Sequence, residues 1–250
     1  MTKNTGRRCG VNPTSQPASP KYCIFGAGAI GGTIAAQLAR ANATVSVIAR
    51  AIPASRAIGC VVYMSCAVEA PGVIRHGAGG RLIVGEPENR SSRRPSQRVA
   101  RLAKWLRRSG FDCVESTDIR RDIWFKLWGN LSMNPISFLT AATLDRIIAD
   151  PLAHKLCFRM MEEAGRIGEA IGIPATVSIE EMFDRARVLG AAKTSMLQDA
   201  EHGKPVEIDA LLTVTRDLGR MVGVPTPFID SVFGLARLKA TSLGLLDRAA

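Results

Sequence analysis

The 250-residue sequence lacks long apolar runs, paired cysteines and clustered histidines, and each absence excludes a class of protein. A transmembrane helix needs about 20 predominantly apolar residues, and charged residues or glycines interrupt every apolar run before that length. The three histidines lie far apart, so no metal site is expected. A disulfide framework is equally unexpected, because no CxxC pair occurs among Cys9, Cys23, Cys60, Cys66, Cys113 and Cys157.

Disorder of the whole chain is excluded by its composition. Apolar residues make up 46% and charged residues 22% of the sequence, which is ordinary for a chain with a buried core. Residues 1–20 differ, because they are polar and contain Gly, Pro and Ser. The Arg7-Arg8 pair is followed by no apolar segment of the kind that a secretory signal requires. We therefore predict a disordered tail over residues 1–20 of a cytoplasmic protein.

Acidic residues are scarce in the first half of the chain, so the net charge of +11 belongs to that half. Residues 1–120 hold 18 Lys and Arg against 6 Asp and Glu, whereas residues 121–250 hold 15 against 16. Much of the excess lies in residues 89–110, a predicted amphipathic helix with a basic outer face. Three alternatives are open for this face: it is a solvated surface, it attracts an anionic cofactor, or it binds nucleic acid weakly and non-specifically. No recognised nucleic-acid module supports the last alternative, so we expect no specific nucleic-acid partner.

The order of sequence patterns predicts two domains. Strand-like segments occur at residues 22–25, 44–48, 57–70, 73–76, 81–87 and 111–116, the fourth and fifth forming a meander, and a helical pattern covers 30–38. From Ile119 onward every pattern is helical. We place the domain boundary near Thr117 and predict an α/β domain over 21–117 and an all-helical domain over 118–250.

Capping signals punctuate the helical half. Asp150 before Pro151 predicts an N-cap with proline in the first turn, and Ser178 with Glu181 predicts a capping box. The glycines expected at helix C-termini are Gly172 and Gly223.

A glycine-rich motif lies between the first predicted strand and the first predicted helix. Gly26 permits a tight turn, Gly28 lets a pyrophosphate approach the backbone, and Gly31 allows close packing of helix on strand. The N–H groups at the start of the helix then face the phosphates. The sequence therefore predicts a dinucleotide-binding loop formed by Gly26, Ala27, Gly28, Ala29, Ile30 and Gly31.

Arg50 follows the second predicted strand, where an NAD-specific fold would have an Asp or Glu for the ribose 2′-hydroxyl. An arginine forms charge-assisted hydrogen bonds with a 2′-phosphate instead. The sequence therefore favours NADPH over NADH, the alternative being an ordinary surface arginine.

Lys126, Asn130 and Asn134 repeat every four residues and form one stripe on a predicted helix. We expect Trp124, Leu127, Trp128 and Leu131 to surround that stripe and to lower the pKa of the lysine by desolvation. The alternative is a polar outer face with the tryptophans inside. Pro135 follows Asn134 directly, which predicts that the helix ends or kinks there.

Taken together, GAGAIGG, the strand ending at Arg50, IWFKLWGNLSMNPISFLTAAT, KTSMLQDAEHGKPVEIDALL and GVPTP resemble the ketopantoate reductase family. The resemblance implies an N-terminal Rossmann-like α/β domain and an all-α C-terminal domain of the 6-phosphogluconate dehydrogenase C-terminal type. It implies NADPH-dependent reduction of 2-dehydropantoate to pantoate in pantothenate biosynthesis, and it allows a homodimer. Lys126 matches the proton-donating lysine of the family, and the substrate-binding positions match Asn130, Asn134, Ser195 and Glu207. Ser195 and Glu207 are singled out by the resemblance alone.

The sequence departs from the family in its first domain, which is truncated. Residues 21–117 are too few for an open sheet of about six strands with helices on both faces. The segment after residues 51–56 resembles the late strands of the family's first domain, and no Asn-Gly pair occurs in the chain. The sequence therefore leaves three alternatives: an active reductase, a catalytically impaired relative whose helical domain still folds or dimerises, and a basic binding protein.

Overall fold

The computed structural model describes residues 21–25, 44–48, 57–70, 73–87 and 94–246, and its contacts divide the chain into two units. The first unit comprises residues up to Ile58 with Val62–Glu86 and Ser91–Thr117, and it contains nearly all the described strand residues. The second unit is helical and comprises Asp118–Ala250 with the short pieces Gly59–Val61 and Pro87–Arg90. The tail expected over residues 1–20 lies outside the described residues.

Strands β1 (Lys21–Phe25) and β2 (Thr44–Ile48) form a parallel pair in the first unit. Lys21 lies opposite Thr44 and Phe25 opposite Ile48. Parallel neighbours need a crossover connection, and the predicted glycine motif and helix lie in this connection. The structure does not describe residues 26–43 or Arg50, so both cofactor-binding predictions fall outside it.

Strands β3 (Gly59–Ala70), β4 (Val73–Gly85) and β5 (Asp112–Glu115) form a sheet in the order β3-β4-β5, with β4 parallel to β5. The meander predicted within residues 73–87 is wrong, because β4 is one continuous strand. Gly79 explains the continuity: its φ is +78°, and a Cβ there would lie 2.4 Å from the carbonyl oxygen of Tyr63. Only glycine allows this close approach while the strand continues.

Helix α1 (Gln97–Arg108) confirms the predicted amphipathic helix. Val99, Ala103 and Leu106 are buried and belong to one cluster with the sheet residues Leu82 and Val84. Residues that remain exposed on the outer face include Arg101, Lys104 and Arg108. The apolar side of α1 therefore packs on the sheet of its own unit.

The second unit is built around a long helix, α2 (Ile119–Thr140), which packs against most of the other helices. The others are α3 (Leu144–Ala149), α4 (Pro151–Ala170), α5 (Ile179–Arg187), α6 (Ser195–Glu201), a π-helical turn (Asp209–Thr213), α7 (Val214–Val222) and α8 (Pro227–Ser242). Its fully buried side chains include Leu131, Phe138, Met160, Met161, Ile167, Phe183, Ile208 and Leu212. None of the described helices has both the length and the hydropathy that crossing a membrane requires.

The predicted helix caps are confirmed. The Asp150 carboxylate accepts from two backbone N–H groups at the start of α4, at 3.0 and 2.8 Å. Ser178 and Glu181 form both hydrogen bonds of a capping box. Gly172 and Gly223 have φ values of +78° and +72° just after α4 and α7, a conformation that favours glycine.

The long helix does not end at Asn134-Pro135, as one of the two expectations had it, because α2 continues through Pro135 to Thr140. An interior proline costs a helix roughly 3 kcal/mol. Every residue from Leu131 to Phe138 is buried, and this burial offsets the local cost. The helix ends at Ala141, whose φ is +57°, and the Lys239 ammonium donates to the carbonyl oxygen of Leu139 at 3.0 Å.

Candidate functional site

Helix α2 directs its two tryptophans away from Lys126. The Trp128 indole N–H donates to the carbonyl oxygen of Met161 in α4 at 2.7 Å. Trp124 lies so close to Gly168 of α4 that a Cβ there would come within 2.5 Å of its Nε1. At about 100° per residue, both tryptophans are roughly 160° around the helix from Lys126. The expectation that they surround the lysine is therefore wrong, and they instead anchor the far side of α2.

Lys126, Asn130 and Asn134 form one stripe along α2, about 40° apart at each step. Lys126 and Asn130 are half-buried, and Asn134 is 8% exposed. Among the described residues, neither carboxamide forms a hydrogen bond with a protein partner. Because neither carboxamide is among the buried polar side-chain groups that lack a partner, their donors and acceptors reach solvent and can bind another molecule.

Lys126 lies in an environment that opposes its charge. Desolvation lowers the pKa of its ammonium group, while the nearby charge of Glu207 raises it in part. The Cys60 thiol, whose residue belongs to the helical unit, also interacts with Lys126, and burial raises the pKa of that thiol to about 11. A lysine with a lowered pKa gives up its proton more readily than an exposed lysine does.

Glu207 and Ser195 belong to segments that pack near α2. Glu207 is exposed and stands two residues before the π-helical turn, which packs on α2. Ser195 is exposed at the first position of α6, which also packs on α2 and is capped by the Thr194 hydroxyl. The structure thus brings Glu207 within charge interaction of Lys126 and places Ser195 on a neighbouring helix.

Two features of this region have no clear signal in the sequence. One is Cys60, which lies in a strand-like segment with nothing to link it to Lys126. The other is the π-helical turn, since its hydrogen bonds depend on packing and its residues suit an ordinary α-helix. Within the part of the chain that the structure describes, no group of three or more His, Cys, Asp or Glu side chains could hold a metal ion.

Two family models match the chain. The model described as "Ketopantoate reductase PanE/ApbA C terminal" matches residues 118–240, a range that contains the α2 stripe, Ser195 and Glu207. The model described as "Ketopantoate reductase PanE/ApbA" matches residues 22–52, which contain the glycine motif and Arg50.

Curated and solved relatives agree with these models. A 2-dehydropantoate 2-reductase from Mesorhizobium japonicum is 43% identical over 231 residues, which cover 92% of this chain and 69% of that protein. A crystal structure from Ralstonia solanacearum MolK2 assigned to the ketopantoate reductases has a TM-score of 0.83 at 34% identity, and the match covers 91% of this chain and 100% of that one.

A more distant structure, D-mandelate dehydrogenase with NADH and anilino(oxo)acetate, shares the fold. Its TM-score is 0.77 at 16% identity, over 90% of this chain and 99% of that one. The comparisons confirm the predicted fold class, a truncated Rossmann-like α/β domain followed by an all-helical domain.

Proposed function

Because this chain belongs to the ketopantoate reductase family, we propose that it reduces 2-dehydropantoate to pantoate, a step of pantothenate biosynthesis. The observation that supports the proposal is the stripe on α2 in which a partly desolvated lysine, Lys126, stands with two carboxamides, and the charge of Glu207 acts on that lysine. The family consists of pyridine-nucleotide oxidoreductases, and a keto acid is a substrate that such a cationic, amide-lined site suits.

Lys126 supplies the proton in this proposal. When bound, the reduced nicotinamide supplies a hydride to the keto carbon, and negative charge develops on the keto oxygen. The Lys126 ammonium stabilises that charge and then donates its proton to give the hydroxyl of pantoate. Its desolvated surroundings support the role, because they lower the pKa of the ammonium and so favour release of the proton.

The remaining polar groups bind and orient the substrate. The carboxamides of Asn130 and Asn134 donate hydrogen bonds to substrate oxygens, and the Ser195 hydroxyl is a further donor. The Glu207 carboxylate accepts a hydrogen bond from a substrate hydroxyl. Its charge also raises the pKa of Lys126, so that the lysine is protonated when negative charge develops on the keto oxygen. Together these groups hold the keto oxygen against the lysine, and such positioning is a large part of catalysis.

The β1-β2 pair fits a nicotinamide cofactor. A parallel pair joined by a crossover is the unit whose first turn binds a pyrophosphate, and the glycine motif follows β1 directly. The residues that would hold the cofactor are Gly26, Ala27, Gly28, Ala29, Ile30, Gly31 and Arg50. Arg50 favours NADPH over NADH, because it pairs with a 2′-phosphate.

A substrate panel tests the proposed reaction. Purified protein is mixed with NADPH and 2-dehydropantoate, pyruvate or phenylglyoxylate in turn, and both cofactor absorbance and the hydroxy-acid product are followed. We expect pantoate from 2-dehydropantoate and little reaction with the smaller or aromatic keto acids. Reduction of phenylglyoxylate in preference to 2-dehydropantoate would reassign the substrate.

A second candidate function is that of a relative with impaired catalysis, whose helical domain still folds and dimerises. The absence of an Asn-Gly pair and the short first domain favour it. Substrate-dependent turnover by the purified protein separates the two candidates.

The assembly we propose is a homodimer formed through the helical unit. An apolar groove of about 440 Å³ lies between α2, α4 and α8, and the exposed side chains of Leu235 and Leu238 line it. A groove beside a leucine ridge allows a second copy to pack by two-fold symmetry. Sedimentation at several concentrations tests this, and Leu238→Glu should give a monomer.

We place the protein in the cytoplasm. Among the residues that the structure describes, Cys60, Cys66, Cys113 and Cys157 form no disulfide bond, which suits a reducing compartment.

A further inference from the structure

The π-helical turn Asp209–Thr213 joins the segment that carries Glu207 to helix α7. Its defining bond runs from the Val214 N–H to the carbonyl oxygen of Asp209, five residues back. Just before it, the Leu211 N–H donates to the carbonyl oxygen of Glu207, four residues back, at 3.3 Å. The turn therefore contains one residue more than an α-helix would use.

An extra residue rotates one end of a helix against the other by about 100°. Helix α7 cannot take up that rotation, because Thr215 and Gly219 are buried. A Cβ on Gly219 would lie 3.0 Å from the carbonyl oxygen of Val224 and 3.2 Å from Cδ1 of Ile167. The preceding segment is anchored too, since Val206 and Ile208 are buried and the Val206 N–H donates to the carbonyl oxygen of Leu245 at 2.9 Å. The extra residue therefore sets the angle about the helix axis between two fixed segments, one of which carries Glu207.

Glu207 depends on its backbone for its direction. Its side chain is exposed, so no packing around the carboxylate holds it. The turn that follows is fixed, since Leu211 and Leu212 are buried, the Thr213 hydroxyl donates to Asp209 at 2.7 Å and the Thr215 hydroxyl to the Leu211 carbonyl oxygen at 2.7 Å. The turn also packs on α2, the helix that carries Lys126.

We propose that the π-helical turn Asp209–Thr213 is a positioning element that directs the Glu207 carboxylate toward Lys126 on α2. Removal of the extra residue would convert the turn to an α-helix and would swing Glu207 around the helix axis, away from the lysine. The functional meaning of this placement rests on the proposed function, in which Glu207 anchors the substrate beside the proton donor. The placement itself is a property of the unliganded chain.

Titration of Lys126 in the unliganded protein tests the placement. The lysines are dimethylated with ¹³C-formaldehyde, and the Lys126 resonance is identified by its loss in Lys126→Arg. The variants are Glu207→Gln, a deletion of the exposed Ala210, the two combined, and Ala210→Ser as a control of unchanged length.

We expect Glu207→Gln to lower the Lys126 pKa, because it removes the charge that raises it. The deletion of Ala210 should lower this pKa by the same amount as Glu207→Gln, and the combined variant should lower it no further. Ala210→Ser should leave the pKa unchanged. A deletion variant that keeps the parental Lys126 pKa, and in which Glu207→Gln still lowers it, would overturn the proposal.

Thermal unfolding shows whether the deletion variant folds, and a deletion of the exposed Asp209 serves as a second variant. If both deletions unfold the domain, the turn serves packing rather than the placement of Glu207, and the proposal is wrong. If the chain shows no reductase activity, the proposed function fails while the titration still decides the placement. In an active chain, the deletion should raise KM for 2-dehydropantoate roughly tenfold or more, the effect of a lost hydrogen bond to a charged group.

Discussion

Lys126 is the residue whose ionisation should govern the reaction, and the pH dependence of kcat reports it. The proton donor must be charged, so kcat should fall as the pH rises through the Lys126 pKa, which desolvation sets below that of an exposed lysine. Glu207→Gln removes a charge that raises this pKa and should move the fall to lower pH. Steady-state kcat measured across the alkaline range checks the shift. If kcat of the variant falls at the same pH as kcat of the parent, Glu207 does not raise the pKa of Lys126.

Arg50 should determine the choice of cofactor. It forms charge-assisted hydrogen bonds with a 2′-phosphate and gains none from a bare hydroxyl, so the parent should bind NADPH more tightly than NADH. Arg50→Ala should abolish that preference, which fluorescence titrations with the two cofactors measure. Arg56→Ala is a control of equal charge. Equal affinities of the parent for both cofactors would mean that Arg50 does not contact the 2′-position.

Helix α8 depends on a carboxylate from α4. Glu163 is fully buried, and its two oxygens accept from the N–H groups of Phe228 and Ile229, each at 2.9 Å. Burial raises the pKa of Glu163, although these hydrogen bonds oppose the shift. A carboxyl group with a raised pKa in the folded state favours folding most when it is protonated, so its contribution is lost as the pH rises through that pKa.

The stability of the domain should therefore depend on pH through Glu163. The free energy of unfolding, measured with urea at a series of pH values, should decline between the unfolded-state and folded-state pKa values of Glu163. In Glu163→Gln this free energy should depend less on pH over the same range. Glu162→Gln, which removes a surface carboxylate paired with Arg159, is the matched control. Parallel pH curves for the parent and Glu163→Gln would contradict this account.

Local chemistry explains which helices could be predicted from the sequence. Asp150 and the Ser178–Glu181 pair satisfy nearby backbone groups, so neighbouring residues are enough to locate those helix starts. The continuation of α2 through Pro135 depends instead on burial from Leu131 to Phe138, which involves residues distant in the sequence. The π-helical turn is equally non-local.

Helical geometry alone predicts which side of α2 carries each residue. Spacings of two residues place Trp124 and Trp128 nearly opposite Lys126, but their apolar character suggested an enclosure around the lysine. The structure shows instead that both tryptophans contact α4, on the far side of the helix from Lys126. The stripe of Lys126, Asn130 and Asn134 follows from helical spacing alone, whereas the packing of the tryptophans depends on α4, which is distant in the sequence.

At the scale of the whole molecule, the family resemblance identified residues that no local pattern distinguished. Ser195 reads as an ordinary helix hydroxyl and Glu207 as an ordinary first-turn glutamate. Only the three-dimensional arrangement, in which α6 and the π-helical turn both pack on α2, relates them to Lys126. The match of the chain to its Mesorhizobium relative covers 69% of that protein.

The short first domain should weaken cofactor binding and turnover together. A missing part of a cofactor pocket removes contacts and also loosens the position of the nicotinamide, and misplacement alone costs about a hundredfold in rate. We expect NADPH affinity and kcat far below those of the Mesorhizobium relative measured alongside. Tight, saturable NADPH binding together with rapid reduction of 2-dehydropantoate would show that the short first domain is sufficient for cofactor binding and turnover.

The rate of 2-dehydropantoate reduction by Lys126→Ala, compared with the parent, tests the central claim most directly. Loss of a general acid lowers kcat by roughly 10² to 10⁴-fold, and Lys126→Arg should fail to restore it, because a guanidinium keeps the charge but does not release a proton near neutral pH. Both variants should unfold at the parental temperature. The account predicts measurable reduction by the parent and its loss in both variants; full kcat in Lys126→Ala would contradict it.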